Sequence, residues 1–129
     1  MAQKYIIGDL VKYKVGGLEF IAEITNTSKY GYCFKGVSDD ISGTLCKEFA
    51  KDIPLTPEIL EKNGWKNDGY DWYRLPTKRA YLYITKDITT SGEFLVCVGL
   101  DRHNLASINF VHQLQHLLFG LNINSEMEV

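Results

Sequence analysis

The chain reads as an α+β protein: an N-terminal SH3-like small β-barrel, a short hinge helix, then a small antiparallel sheet packed by a C-terminal helix. Three observations lead there. Short apolar–polar alternations, punctuated by Gly, Asn and Asp, fill the first fifty residues and return between Ala80 and Gly99, the period of strands with one buried face. The stretch from Ile53 to Trp65 carries start and stop signals for one helix. After Ser107 the apolar period becomes helical. A length of 129 residues suits one domain, read as a β subdomain over 1–54 and an α+β subdomain over 55–129 that together make one compact unit. An apolar fraction of 45% argues against disorder.

In order along the chain, Asp9 to Val15 and Leu18 to Thr25 are strand patterns separated by Gly16 and Gly17, the two-residue spacing of a tight hairpin. If Val15 faces Leu18, Tyr13 faces Phe20 and Val11 faces Ala22 on the core side. Lys14 then faces Glu19, Lys12 faces Ile21 and Leu10 faces Glu23 on the other side. Tyr30 to Lys35 is a third strand, residues 36 to 43 are a loop carrying Asp39 and Asp40, and Leu45 to Ile53 supplies a last short strand. Thr56 is the N-cap of the hinge helix, Pro57 its first residue, and Asn63 with Gly64 its end, so the helix has about two turns and serves as a hinge rather than a core element. Trp65 to Arg74 (with Trp65, Tyr70, Trp72 and Tyr73), Ala80 to Thr85 and Glu93 to Gly99 form a three-stranded meander, with a turn near Ser91 and Gly92. The last helix has Ser107 as N-cap, Ile108, Val111, Leu114, Leu117, Leu118 and Leu121 at helical spacing, and ends near Gly120 or Asn122. Glu126 to Val129 alternates like an edge strand. No repeat or low-complexity segment occurs.

Two of these segments also carry a resemblance. IPLTPEILEKNGW (Ile53 to Trp65) and FVHQLQHLLF (Phe110 to Phe119) are similar to segments of a group of small uncharacterised proteins encoded in phage and prophage regions of gut anaerobic bacteria. In those proteins an IPLTxExLxxxGF segment follows a short β-rich N-terminus and a VHELQN helix closes the chain. Gln113 stands where that pattern has Glu, and His116 where it has Asn. The resemblance spans most of the chain. It implies a phage-type accessory protein and brings no catalytic residue or cofactor with it.

A formal net charge of −2 gives no general electrostatic case for nucleic acid or an anionic membrane. The apolar run before Asp9 is too short for a signal peptide and no window spans a bilayer, so a cytoplasmic protein is expected. Cys33, Cys46 and Cys97 are odd in number and in no C-x-x-C pairing. They read as buried, unpaired structural thiols.

Several groupings invite chemistry. His112 and His116 have half of the H-E-x-x-H zinc spacing, but Gln113 replaces the base and the only other histidine is His103, so no metal is expected. Lys12, Tyr13, Lys14, Tyr30, Tyr32, Phe34 and Lys35 interleave as in nucleic-acid-binding barrels. Yet residues 1 to 54 carry seven Lys and seven Asp or Glu, and the hairpin register turns Tyr13 inward. Asp39 and Asp40 lack further ligands at calcium-loop spacing. Asp101, Arg102 and His103 read as the polar entry to the last helix, and Trp65, Tyr70, Trp72 and Tyr73 as core and hinge packing.

The strongest local signal is an absence: no charged residue stands between Arg102 and Glu126. On the last helix Asn109, His112, Gln113 and His116 form a neutral stripe flanked by Ile108 and Phe119. Charge depletion with retained hydrogen-bonding groups is the composition of a contact surface. The function expected is a non-enzymatic protein-interaction or structural accessory module, with no cofactor, acting on a protein partner or by self-association through Asn109, His112, Gln113, His116 and Phe119. The alternative is a nucleic-acid-binding module using the N-terminal barrel.

Overall fold

Gly16 and Gly17 take φ of 56° and 84°, the left-handed pair that a two-residue hairpin turn requires, and so fix the register of the first sheet. The computed structural model describes residues 4–38, 40–69, 72–78, 80–86, 92–99 and 101–129. Asp39, Tyr70 and Ser91, named above in an acidic loop, an aromatic run and a turn, lie outside the described residues. Strand β1 (Leu10–Val15) pairs with β2 (Leu18–Thr27) with Val15 opposite Leu18, Tyr13 opposite Phe20 and Val11 opposite Ala22, as the alternation predicts. The outer-face pairs Lys14–Glu19, Lys12–Ile21 and Leu10–Glu23 also fall as expected, with two details of side-chain placement added. Lys12, not Lys14, forms the ion pair with Glu19, at 3.0 Å, and Leu10 is buried although it shares that face.

The chain divides into two units, Met1–Ile53 and Pro54–Val129, each built on a five-stranded antiparallel sheet, and the class is α+β. In the first unit β3 (Tyr32–Gly36), β4 (Ser42–Leu45), a 3₁₀ turn (Lys47–Phe49) and β5 (Ala50–Lys51) complete the order β4-β3-β2-β1-β5. The third strand starts later than expected because the Ser28 hydroxyl accepts the N–H groups of Tyr30 and Gly31, which keeps Tyr30 in the turn and 76% exposed. The expected strand from Leu45 to Ile53 is instead broken by the 3₁₀ turn, and β4 begins within the expected loop. Inside, Tyr13, Phe20 and Phe34 pack with ring centroids 4.9 to 5.5 Å apart, joined by Val11, Ala22 and Ile24. Tyr5 donates its hydroxyl to Asp52 Oδ1 at 2.5 Å, and burial together with that carboxylate pushes its pKa up.

Helix α1 (Pro57–Lys62) matches the sequence signals: the Thr56 hydroxyl accepts the Ile59 N–H at 3.2 Å, Pro57 opens the helix, and Gly64 takes a φ of 90° after it. It is more than a hinge, because Leu60 is fully buried and Trp65 nearly so. The second sheet runs β10-β9-β8-β7-β6, from β6 (Lys66–Asn67), β7 (Trp72–Pro76), β8 (Tyr81–Thr85), β9 (Phe94–Val98) and β10 (His103–Ile108). This corrects the three-stranded expectation. A bulge between Asn104 and Ala106 breaks the alternation of β10, so its pattern did not read as a strand, and Asp101 to His103 lead into that strand rather than into a helix.

Helix α2 (Val111–Gly120) accordingly starts at Phe110, not Ser107, which lies in β10 with Ile108. The Gln113 side chain closes the helix start: its Oε1 accepts the N–H groups of Asn109 at 2.7 Å and Phe110 at 3.1 Å. Val111, Leu114, Gln115 and Leu118 are buried, whereas Leu117 is half-buried and Leu121, expected in the core, is 40% exposed. The C-terminal segment is not a strand. Asn63 holds it instead, its Nδ2 donating to the Glu128 carbonyl and its Oδ1 accepting the Glu128 N–H, both at 2.7 Å.

Candidate functional site

The neutral stripe predicted on α2 is only partly a surface. His112 is buried, stacked on Phe110 with ring centroids 6.0 Å apart and edge-on to His116 at 5.5 Å, so it contributes nothing to the exposed surface of the expected contact stripe. Gln113 is occupied by the helix start and, like His116, half-buried. Asn109 is exposed, with its carbonyl accepting the Leu55 N–H at 2.9 Å. Phe119 stands out at 71% exposure. The stripe therefore does not form one continuous patch; its exposed apolar part has moved to the helix end, where Phe119 is joined by Leu121.

Beside that end lies a groove of about 1040 Å³. Leu82 of β8 and Val98 of β9 form one wall, Leu121 and Ile123 another, and Thr77, Lys78 and Asn122 supply polar groups at its margin. Leu82 and Val98 face each other across the β8–β9 pair. The groove thus places the end of α2 over the sheet face that carries Leu82, Ile84, Val96 and Val98.

The opposite sheet face has different chemistry. Arg74 is opposite Tyr83, Pro76 opposite Tyr81 and Tyr83 opposite Cys97, so Trp72, Arg74, Tyr81 and Tyr83 project from one side. The Arg102 guanidinium lies 4.2 Å from the Trp72 ring centroid and 5.0 Å from that of Tyr83. That of Arg74 lies 4.9 Å from Tyr81. These are cation–π distances. Asp68 Oδ1 stands 3.9 Å from Arg74, and Lys66 is the cross-strand partner of Arg74. Beneath Arg102 the Cys97 thiol donates to Asn104 Oδ1 at 3.3 Å; burial pushes its pKa up, and the nearby guanidinium partly offsets this. This cluster was missed in the sequence, where Arg102 read as part of the polar entry to the last helix. The detectable signal was the i, i+2 spacing of Trp72 with Arg74 and of Tyr81 with Tyr83, which puts each pair on one face of a strand.

The N-terminal basic–aromatic set falls apart in space. Tyr13, Tyr32 and Phe34 are core residues, and Tyr30 alone is exposed among its rings, with Lys29 Nζ 5.0 Å from its centroid. Of the thiols, Cys97 is buried, Cys33 half-buried and Cys46 exposed, correcting the expectation of three buried cysteines; all three are unpaired. Among the described residues no three His, Cys, Asp or Glu side chains gather as metal ligands, and no helix is long and apolar enough to cross a membrane. No protein-family model, curated protein or solved structure matches the chain.

Proposed function

We propose that the chain is a non-enzymatic interaction module, a cytoplasmic phage-type accessory protein of the kind its sequence resembles, which docks a protein partner at the C-terminal end of α2. The observation that carries this reading is the presence of Phe119, 71% exposed, and Leu121, 40% exposed, in a stretch with no charged residue from 103 to 125, with Leu121 also lining the groove walled by Leu82, Val98 and Ile123. A large exposed aromatic in a charge-free stretch, two residues from a leucine that lines an apolar recess, is the make-up of an interface centre. On the same reading the first unit is an SH3-like barrel. In support, β1 pairs with both β2 and the last strand β5, and a 3₁₀ turn precedes β5.

Phe119→Glu tests it, since the side chain is exposed and the fold does not need it. Light scattering of the variant should show a lower mass if the partner is a second copy. If the partner is another protein, the wild type should capture a species from host lysate that Phe119→Glu does not. Identical mass and an identical captured set would overturn the reading.

A further inference from the structure

We propose that the face of the second sheet carrying Trp72, Arg74, Tyr81, Arg102 and Lys66 is a binding site for single-stranded nucleic acid, separate from the α2 docking end. Trp72, half-buried, and Tyr81, 42% exposed, flank the buried Tyr83 with ring centroids 6.3 and 6.4 Å from it, Trp72 edge-on and Tyr81 tilted, so two rings of this row reach the surface of the sheet face. Two guanidinium groups lie over that row. A guanidinium over a ring leaves in-plane N–H donors for phosphate oxygens and presents a flat face on which a base stacks, so the combination matches a ligand that alternates phosphates with planar bases. Three cations, Lys66, Arg74 and Arg102, gather on this face of a chain of net charge −2, with Asp68 Oδ1 3.9 Å from Arg74 and Asp101 next to Arg102 in the chain.

A second observation is independent of the rings. Arg102 has a φ of 52°, one of two non-glycine residues in the left-handed region among the described residues. Gly or Asn would occupy that turn position with less strain, so the strain is tolerated at the residue whose side chain covers Trp72 and Tyr83.

The test is fluorescence anisotropy of labelled oligo(dT) and oligo(U) with the full chain across a salt series, together with tryptophan emission. Trp65 is buried, so quenching reports Trp72. Binding of either oligomer should weaken with salt with a log–log slope of about −2, as expected for three phosphate contacts on a single strand. Comparison of the two oligomers assigns DNA or RNA. Arg102→Gly, which suits the backbone there, and Arg74→Gln should each lower affinity by about tenfold, while Lys14→Gln on the first unit should leave it unchanged. Thermal melts confirm that each variant is folded, and Arg74→Gln decides the matter if Arg102→Gly is not. No anisotropy change at low salt overturns the proposal. So does equal binding by the arginine variants, or adhesion to heparin as tight as to the oligomers with no tryptophan quenching, which would be plain electrostatic attraction.

Discussion

The two sheets have the same strand count, but the second is a sequential meander whereas the last strand of the first adds beside β1, and they place their aromatic residues differently. In the first unit Tyr13, Phe20 and Phe34 point inward and the charged residues Lys12, Lys14, Glu19 and Glu23 lie outside the core. In β8 the inward positions are the aliphatic Leu82 and Ile84, while Tyr81 and Tyr83 turn toward the arginines. Alternation shows which residues share a face; it does not say which face is covered. The Tyr81 ring, 42% exposed, stays at the surface beside Arg74, whereas the Tyr13 hydroxyl is buried with no hydrogen-bond partner among the described residues.

The widest gap between the units is expected in thiol chemistry. Denatured, unreduced protein should alkylate at three cysteines. In the native state the exposed Cys46 should react at once and Cys97 about a thousandfold more slowly or less, since its sulfur is reached only through opening of its unit. Equal rates would mean that the second sheet opens readily. Next in size is ring removal. Phe34→Ala should cost about 3–5 kcal/mol by urea denaturation, and Tyr81→Ala under about 1 kcal/mol, because only the first leaves a cavity. Similar losses would refute the inside–outside contrast.

Tyr13→Phe should stabilise the first unit by about 1 kcal/mol, as it removes a buried hydroxyl that lacks a partner. The same residue sets a pH dependence. Burial raises the Tyr13 phenol from 10.0 to about 12, so the folded state holds a proton that the unfolded state releases. Its stabilising contribution is complete below pH 10 and is lost as pH rises toward 12, and melting temperatures across that window should fall less steeply for Tyr13→Phe. Tyr5 is shifted in the same direction by burial and by Asp52, and adds to the slope in both proteins. The smallest effect belongs to the outer face of the hairpin. The Lys12 hydrogen bond holds the Glu19 carboxyl below its usual range, visible by NMR titration, while Glu19→Gln should leave the urea midpoint within experimental error because the pair is exposed.

What the sequence determined by itself is local. The register of the first hairpin follows from two glycines and a period of two, and the ends of α1 follow from Thr56, Pro57 and Gly64, because each depends on residues within a turn of one another. What needed the tertiary structure depends on distant partners. β10 exists because it pairs with β9 despite a bulge that hides its pattern, and that pairing carries the start of α2 past Ser107 to Phe110, where Gln113 supplies the cap. His112 and Leu121 sit on the same helix as their predicted neighbours, yet burial reverses their expected roles, since exposure is set by what covers a face and not by the helical period. Arg102 and Trp72 are thirty positions apart in sequence and 4.2 Å apart in space. Only the pairing of β7, β8, β9 and β10 brings a guanidinium from one turn over a ring from another strand.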